Sequence, residues 1–195
     1  MDHLGGAVGG QVVAKVEPST CAVSPTCSPT CKAPNFRHGF ELLRRVLLTP
    51  RSDRWTWQGH YNRGVTINYE WRGDFDNAAL NALHADGFGH PVAQTDWQER
   101  LERHSLGWVC AREDGSLIGF VNVVWDGGVH AFILDTVVAQ HLQRRGVGAA
   151  LVATAAHGAR AAKCEWLHVD FEEHLRSFYF DACGFKETTA GLIAL

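Results

Sequence analysis

The residues with the clearest chemical potential lie at 143–151, where a basic, glycine-containing turn precedes an apolar helical pattern. The stretch runs Gln143-Arg144-Arg145-Gly146-Val147-Gly148-Ala149-Ala150-Leu151. The first turn of a helix has unpaired backbone N–H groups, and its aligned peptide dipoles create a positive potential. Glycines let a phosphate approach that backbone, and two arginines add positive charge. The pattern therefore predicts a site for a phosphate-bearing anion.

Two common nucleotide-binding loops do not fit this turn. The dinucleotide pattern G-x-G-x-x-G needs a third glycine where Leu151 stands, and it follows the first strand of a parallel unit. A P-loop needs Gly-Lys followed by Ser or Thr, which the sequence lacks. What remains is the pattern Q-x-x-G-x-G over residues 143–148.

Three apolar runs rich in strand formers precede the turn. They are WVCAR, LIGFVNVVW and VHAFILDTVV, over residues 108–112, 117–125 and 129–138. Asp114-Gly115 and Gly127-Gly128 separate them, and such pairs are strong hairpin signals. We therefore predict three antiparallel neighbours in one sheet.

The rest of the chain alternates helical and extended patterns. Strands are predicted at 66–71, at 165–171 and, once or twice, within 185–195. Predicted helices are one capped by Asp74 or Asp76 and stopped by Gly87, one from the Thr95 capping box to about residue 104, one at 148–162, and one at 172–183 closed by Gly184. The order is β-α-α-β-β-β-α-β-α-β, which predicts a mixed sheet with helices over it.

Composition divides the chain near residue 65. Residues 1–34 are rich in Gly, Ser, Thr and Pro and have few large apolar groups, so we expect them to be disordered. We predict that residues 1–64 form a disordered or loosely ordered, dispensable extension and that residues 65–195 form the folded domain.

The turn and its position resemble the coenzyme A loop of the GNAT superfamily of acetyltransferases. In that superfamily, Q-x-x-G-x-G follows the fourth strand of a β-α-α-β-β-β run and opens the third helix, as it does here. The resemblance covers residues 66–195. It implies an α/β (α+β) fold with a mixed, mainly antiparallel sheet of six to seven strands. It also implies helices on both faces and splayed fourth and fifth strands.

A second motif supports the resemblance. After the fifth strand the family has a helix that carries an aromatic pair and ends in Gly-Phe, as in Ser177-Phe178-Tyr179-Phe180-Asp181-Ala182-Cys183-Gly184-Phe185. The family's tyrosine usually lies four residues before the glycine, whereas Tyr179 lies five before Gly184. Either the helix end is wound differently and Tyr179 keeps the role, or the family's tyrosine is absent.

The resemblance implies how a CoA thioester is held. Its pantetheine arm would lie between the splayed strands, with backbone groups near Val137 and Val138 polarising the thioester carbonyl. Backbone N–H groups from Arg144 to Ala149 would hold the diphosphate. The implied donor-binding residues are Val137, Val138, Gln143, Arg144, Arg145, Gly146, Val147, Gly148 and Ala149.

The implied reaction is direct transfer of an acetyl group from acetyl-CoA to a primary amine in a ternary complex. An ammonium has no lone pair, and a lysine-like amine has a pKa of ~10.4, so a base must remove a proton. Asp135 in the fourth strand is the first candidate base and Asp170 the second, followed by Glu172 and His141. Tyr179 would protonate the departing thiolate.

Charge and composition bound the remaining function classes. The formal net charge of −3 does not predict nucleic acid or anionic membrane as a partner. No run reaches the ~18 apolar residues of a membrane span, and the N-terminus does not resemble a secretory signal, so we expect a cytoplasmic protein. Cys21, Cys27 and Cys31 lack the C-x-x-C spacing of a zinc site, so we expect no metal.

The expected partners are acetyl-CoA and an amine acceptor that the sequence does not identify. Edge strands of this fold often pair, so a homodimer stays open. A longer acyl donor also stays open, as does a different class of protein: a non-catalytic module that binds an acyl-CoA or another protein.

Overall fold

The computed structural model describes residues 47–48, 54–61 and 65–195, which form seven strands and three α-helices. The strands are β1 (Leu47–Leu48), β2 (Trp55–Tyr61), β3 (Val65–Trp71), β4 (Ser105–Glu113), β5 (Ser116–Trp125), β6 (His130–Val138) and β7 (Trp166–Val169). The helices are α1 (Asn77–Phe88), α2 (Trp97–His104) and α3 (Val147–Ala161). None of the helices in this part of the chain is long and apolar enough to cross a membrane.

The strands form one sheet in the order β1-β2-β3-β4-β5-β6-β7. Every neighbouring pair is antiparallel except β6 and β7, which are parallel. The parallel pair needs a crossover, and α3 supplies it. The predicted mixed, mainly antiparallel sheet is therefore confirmed.

Both predicted hairpin turns are confirmed. Asp114 and Gly115 have φ angles of 47° and 81°. This is the left-handed pair that a two-residue turn between twisted strands requires. At the next turn the Asp126 carboxylate accepts hydrogen bonds from the N–H groups of Gly128 and His130, at 2.7 and 3.2 Å. Local side-chain chemistry thus fixes the register of β4, β5 and β6.

Helices cover both faces of the sheet, as predicted. α3 buries Leu151, Val152, Ala155 and Ala159 against one face, which includes Val109 and Val121. α1 and α2 bury Leu80, Leu83, Trp97 and Leu101 against the other face, which includes Cys110, Phe120 and Val137. Adjacent strand residues such as Val109 and Cys110 point to opposite faces, which places the helices on opposite sides.

Some described residues before the predicted boundary at residue 65 pair with the sheet. β2 pairs with β3 along its whole length, from Trp55↔Trp71 to Tyr61↔Val65. The Trp55 ring stacks on Trp71, with centroids 5.7 Å apart and planes 10° apart. β2 belongs to the sheet because it covers the β3 edge and Trp71. Residues 1–46, 49–53 and 62–64 lie outside the described residues, where the prediction of an extension stays a prediction.

Two predicted element ends also differ. α1 continues past Gly87 and is capped by Gly89, whose φ of 68° is left-handed, as is common at a helix end. Gly87 instead permits close packing, since a Cβ there would collide with Cγ2 of Val137. Residues 185–195 form no strand, although they were predicted to supply one or two. They do not pair with β7, the last strand in the order of the described sheet, and residues 186–195 are exposed.

Candidate active site

The glycine turn leads from β6 into α3 as predicted. Residues 140–142 form one turn of 3-10 helix, and α3 begins at Val147. Gly146 is the N-cap of α3 and has a φ of 84°, a conformation that a side chain would strain. Arg144 also has a positive φ of 58°. Two left-handed residues thus reverse the chain at the edge of the sheet.

The first turn of α3 presents its backbone N–H groups without a capping side chain. The first bond within the helix runs from Ala150 N to Gly146 O, at 3.1 Å. The N–H groups of Val147, Gly148 and Ala149 precede it, and within the described residues no side chain accepts a hydrogen bond as an N-cap. This is the open helix end that an anion site requires.

Gly148, in the first turn of α3, lies close to two neighbouring side chains. A Cβ at this position would lie 3.1 Å from Cε2 and Cζ of Phe178 and 3.7 Å from Cγ2 of Val138. Phe178 therefore packs against the first turn of α3, beside β6. The end of the helix and the end of β6 consequently border one space.

That space is a gap between the two parallel strands. β6 and β7 pair from His130↔Trp166 to Ile133↔Val169, and β6 then continues to Val138 while β7 ends. Among the described strands, none pairs with residues 134–138 on that side. The expected splay of the fourth and fifth strands of the predicted sheet is present in β6 and β7.

Backbone alternation decides which of the two valines faces the gap. The Ala139 N–H donates to the Ile118 carbonyl, at 2.9 Å, and the register continues to Gly119↔Val138 and Phe120↔Val137. Antiparallel pairs alternate between bonded and non-bonded, so the backbone groups of Val137 point to β5 and those of Val138 point to the gap. The Gln143 side-chain amide donates to the Val138 carbonyl, at 3.1 Å. The Val138 N–H is thus the better-placed of the two for a ligand.

Tyr179 lies in a π-helical segment, Phe178–Ala182. The Cys183 N–H donates to the Phe178 carbonyl five residues earlier, at 3.0 Å. A π turn holds one more residue than an α turn. The helix end is therefore wound differently, which accommodates the longer spacing between Tyr179 and Gly184.

The phenol of Tyr179 is buried at the gap. Its side chain is 5% exposed and stacks on Phe171, with ring centroids 4.8 Å apart. Its hydroxyl interacts with the side chain of Thr136 in β6. Burial raises the pKa of Tyr179 above its ordinary value, against the smaller opposite effect of Thr136. The group is therefore protonated at neutral pH and available as a proton donor.

Asp135 occupies an irregular point in β6. The register shifts between Phe120↔Val137 and Asn122↔Leu134, and Asp135 has a φ of 54°. Asp tolerates this left-handed conformation better than most residues. One carboxylate oxygen lies 3.4 Å from Nε2 of His84, and the other lies 3.4 Å from Nδ2 of Asn122. The bulge thus directs a partly buried carboxylate toward α1.

The other predicted bases are less enclosed. Asp170 and Glu172 follow β7 and are exposed, and His141 is exposed in the 3-10 turn. Sequence reasoning missed Thr136 as the partner of Tyr179 and Asn122 as a neighbour of Asp135. It also missed the contact of His84 with Asp135, since these residues are 51 positions apart. No local spacing signals such a contact.

Two carboxylates of the α2 region, which could have bound a cationic acceptor, already have partners within the protein. The Asp96 side chain caps α2 by accepting from the Glu99 N–H, and the Glu99 carboxylate pairs with Arg103 at 2.8 Å. Trp97 is 2% exposed and donates to Asn81, so it belongs to the core. Within the described residues, no group of three or more His, Cys, Asp and Glu side chains is placed to hold a metal ion. Cys21, Cys27 and Cys31 lie outside those residues.

The family follows from sequence as well as from geometry. The model of the acetyltransferase (GNAT) family matches residues 69–185. That range contains the glycine turn, the gap and Tyr179, and it covers more than half of the chain. This protein belongs to the GNAT acetyltransferase family. No curated protein is significantly similar to it in sequence.

Solved structures share the fold. The aminoglycoside N-acetyltransferase AAC(6')-Iy, solved with CoA, is 20% identical, with a TM-score of 0.57 over 70% of this chain and 98% of its own. A GNAT acetyltransferase from Streptococcus pneumoniae is 19% identical, with a TM-score of 0.55 over 66% and 97%. Glucosamine-6-phosphate N-acetyltransferase from Arabidopsis thaliana is 15% identical, with a TM-score of 0.52 over 65% and 97%. At these identities the similarity concerns the fold.

Proposed function

We propose that this protein transfers an acetyl group from acetyl-CoA to a primary amine by direct attack within a ternary complex. The observation that carries the proposal is the open N-terminus of α3 beside the gap between β6 and β7. A diphosphate and an extended pantetheine arm need these two features side by side. Family membership supports the reaction class, and the geometry supports a CoA thioester as the donor.

The residues present fit a CoA thioester. The uncapped amides of Val147, Gly148 and Ala149 are donors for a diphosphate, and Gly146 leaves their approach clear. Arg144 and Arg145 add positive charge. The Val138 N–H faces the gap, where it would bind the pantetheine or polarise the thioester carbonyl. Preorganised N–H donors stabilise most where negative charge develops.

Tyr179 is the proton donor in this proposal. The amine nitrogen forms a bond to the acetyl carbon, the C–S bond breaks, and sulfur leaves with the electron pair. A phenol that burial keeps protonated can transfer its proton to that sulfur. The Thr136 side chain interacts with the phenol at β6, next to the backbone that would bind the thioester.

Asp135 is the proton acceptor at the start of the reaction. Its carboxylate belongs to the residue before Thr136, so the acid and the base are held by consecutive positions of β6. Arg100 Nη2 lies 3.9 Å from one carboxylate oxygen, and its positive charge attracts the ionised carboxylate. Deprotonation of the amine supplies the lone pair for attack.

Thiol release measured across an amine library tests the proposal. Full-length protein is incubated with acetyl-CoA and each amine, and free thiol is followed against a reaction without amine. Amine-dependent thiol release with acetylated product supports the enzyme. CoA binding without turnover of any amine or peptide N-terminus would instead favour a binding module. Turnover only with propionyl- or succinyl-CoA would identify a longer acyl donor.

A further inference from the structure

Three side chains beside the gap form a continuous chain of hydrogen-bonding atoms. Asp135 Oδ1 lies 3.4 Å from His84 Nε2, and His84 Nδ1 lies 2.8 Å from His90 Nε2. His90 Nδ1 lies 2.7 Å from the carbonyl oxygen of Pro91. Each imidazole therefore uses both of its nitrogens.

The hydrogen bond between His90 and the Pro91 carbonyl determines which imidazole nitrogens carry hydrogens. A backbone carbonyl only accepts hydrogen bonds, so His90 Nδ1 must carry a hydrogen. A neutral His90 then has a lone pair on Nε2, which accepts from a hydrogen on His84 Nδ1. A neutral His84 is left with a lone pair on Nε2, facing the Asp135 carboxylate. Two acceptors face each other across 3.4 Å, so a single proton can bind between them.

The surroundings keep His84 ready to accept that proton. Its side chain is 18% exposed and lies between the rings of Phe88 and Trp97. The charged or titratable groups that face it are Asp135 from β6, Arg100 from α2 and His90 beyond α1. Burial lowers the pKa of His84, and Asp135 opposes that effect. His84 is therefore neutral at neutral pH, with a carboxylate beside it to stabilise the charged form.

We propose that the proton removed from the acceptor amine comes to rest on His84 Nε2, which it reaches through Asp135, and that His90 fixes the tautomer that makes this nitrogen an acceptor. This inference rests on the proposed acetyl transfer. His84 acts through Asp135 and His90 acts through His84, so both are positioning residues.

The proton balance is simple. The amine loses one proton to the Asp135 carboxylate, which passes it to the lone pair of His84 Nε2. The resulting imidazolium keeps its Nδ1 hydrogen on His90 and lies beside a carboxylate that is charged again. The proton leaves to water after the product departs, which restores neutral His84. No oxidant, metal or additional reactant takes part.

The tautomers can be measured in the full chain without any substrate. Long-range ¹H–¹⁵N NMR is recorded at a pH about two units above the ordinary histidine pKa of ~6.5. We expect both His84 and His90 to carry hydrogen on Nδ1. In His90→Phe we expect the His84 hydrogen to move to Nε2. A wild-type His84 that carries its hydrogen on Nε2 overturns the proposal.

Kinetics give the second readout once an acetylated amine is known. His84→Gln and His90→Phe are expected to lower kcat by ~10²-fold, the lower end for general acid–base steps, with KM for acetyl-CoA unchanged. Both are expected to shift the acidic limb of the pH profile. His104→Gln, an exposed histidine of α2, is the matched control and leaves the profile unchanged.

The NMR and the kinetic experiments distinguish failure of the proposed acetyl transfer from failure of the proposed role of His84. Absence of turnover with every amine would remove the proposed function. The wild-type spectrum would still show whether His84 and His90 have the proposed tautomers. Turnover with an unshifted pH profile in both variants would overturn the role of His84 and leave acetyl transfer intact. The wild-type spectrum needs no variant, so a misfolded substitution does not affect that arm.

Discussion

The hydroxyl of Tyr179 interacts with the side chain of Thr136 across the point where β6 loses its neighbour β7. The contact joins the π-helical segment 178–182 to the stretch of β6 that β7 leaves unpaired. It places a protonated phenol next to a strand whose backbone can bind a ligand.

Tyr179→Phe is expected to lower kcat by ~10²-fold with little change in CoA affinity, because only the proton donor is lost. The free energy of unfolding should fall by no more than ~1 kcal/mol, because only one hydroxyl is removed. Stopped assays of thiol release and calorimetric CoA binding measure the effects on activity and affinity, and urea unfolding measures the effect on stability. Tyr69→Phe, a buried tyrosine of β3, is the control and should retain full activity. Equal activity in both variants would remove Tyr179 from the mechanism.

The pH dependence of the wild type follows from the same burial. A raised pKa means that Tyr179 keeps its proton as the pH passes the ordinary tyrosine value of ~10. We therefore expect that ionisation of Tyr179 does not lower kcat as the pH rises past that value. The pH–kcat profile, recorded where the fold remains intact by circular dichroism, measures this. A basic limb below that value that disappears in Tyr179→Phe would contradict the assignment.

Asp135→Asn is expected to lower kcat by ~10²-fold while the fold is retained. Position 135 has a φ of 54°, which Asn tolerates as Asp does, so the backbone of the bulge is not strained. Asp135→Ala would mix the loss of the base with backbone strain and is the poorer test. Raising the pH should restore part of the activity of the variant, since a partly deprotonated amine needs less help from a base. The pH dependence of kcat measures this. A variant with wild-type kcat at neutral pH would exclude Asp135 as the base.

Gly148→Val is expected to weaken CoA binding by at least ~10-fold, about 1.4 kcal/mol. The new side chain would crowd Phe178, since a Cβ alone already approaches it to 3.1 Å, and would crowd the amides of the first turn of α3. Isothermal titration with CoA measures the change. Ala153→Val, an exposed position of α3, introduces the same side chain as the control. Similar affinities in both variants would mean that the diphosphate binds elsewhere.

Trp55→Ala is expected to lower the free energy of unfolding by ~2 kcal/mol, less than for a fully buried Trp. It removes the ring stacked on Trp71. Trp166→Ala is the control, because Trp166 is 60% exposed. Loss of such a surface side chain should cost no more than ~0.5 kcal/mol. Urea unfolding measures both variants.

Truncation tests the same strand. A chain that begins at residue 65 should be less stable than one that begins at residue 54, since only the latter retains β2. Urea unfolding of the two chains measures the difference. Equal stability of the two chains would support a dispensable extension.

The sequence predicts those parts of the fold that short-range chemistry determines. Asp114-Gly115 and Asp126 fix the hairpins, and Gly146 fixes the start of α3, so these features follow from neighbouring residues. Strand β2 escaped prediction because its place depends on contact with Trp71, a long-range packing event. The bulge at Asp135 escaped for a similar reason, since an extra residue in a strand is apparent only against its neighbour β5.

The candidate site also has features that local sequence predicts and features that depend on long-range contacts. A turn suited to a phosphate-bearing anion is predicted from the glycine and arginine spacing, whereas the selection of Val138 over Val137 needs the register with β5. The unusual spacing between Tyr179 and Gly184 was visible in the sequence, but its resolution by a π turn was not. Hydrogen-bond patterns in a helix end depend on packing around it, here by Phe171 and Phe185.

The most direct test of the whole account observes the turn itself as CoA binds. In ¹H–¹⁵N spectra of the labelled full chain, saturating CoA should shift the backbone amides of Val147, Gly148 and Ala149 downfield, because each gains an anionic acceptor. The Val138 amide should shift as well, while the amide of Gly127, in the turn between β5 and β6, should not. Saturable CoA binding that leaves the amides of residues 147–149 unmoved would contradict the account, as would no binding at millimolar CoA.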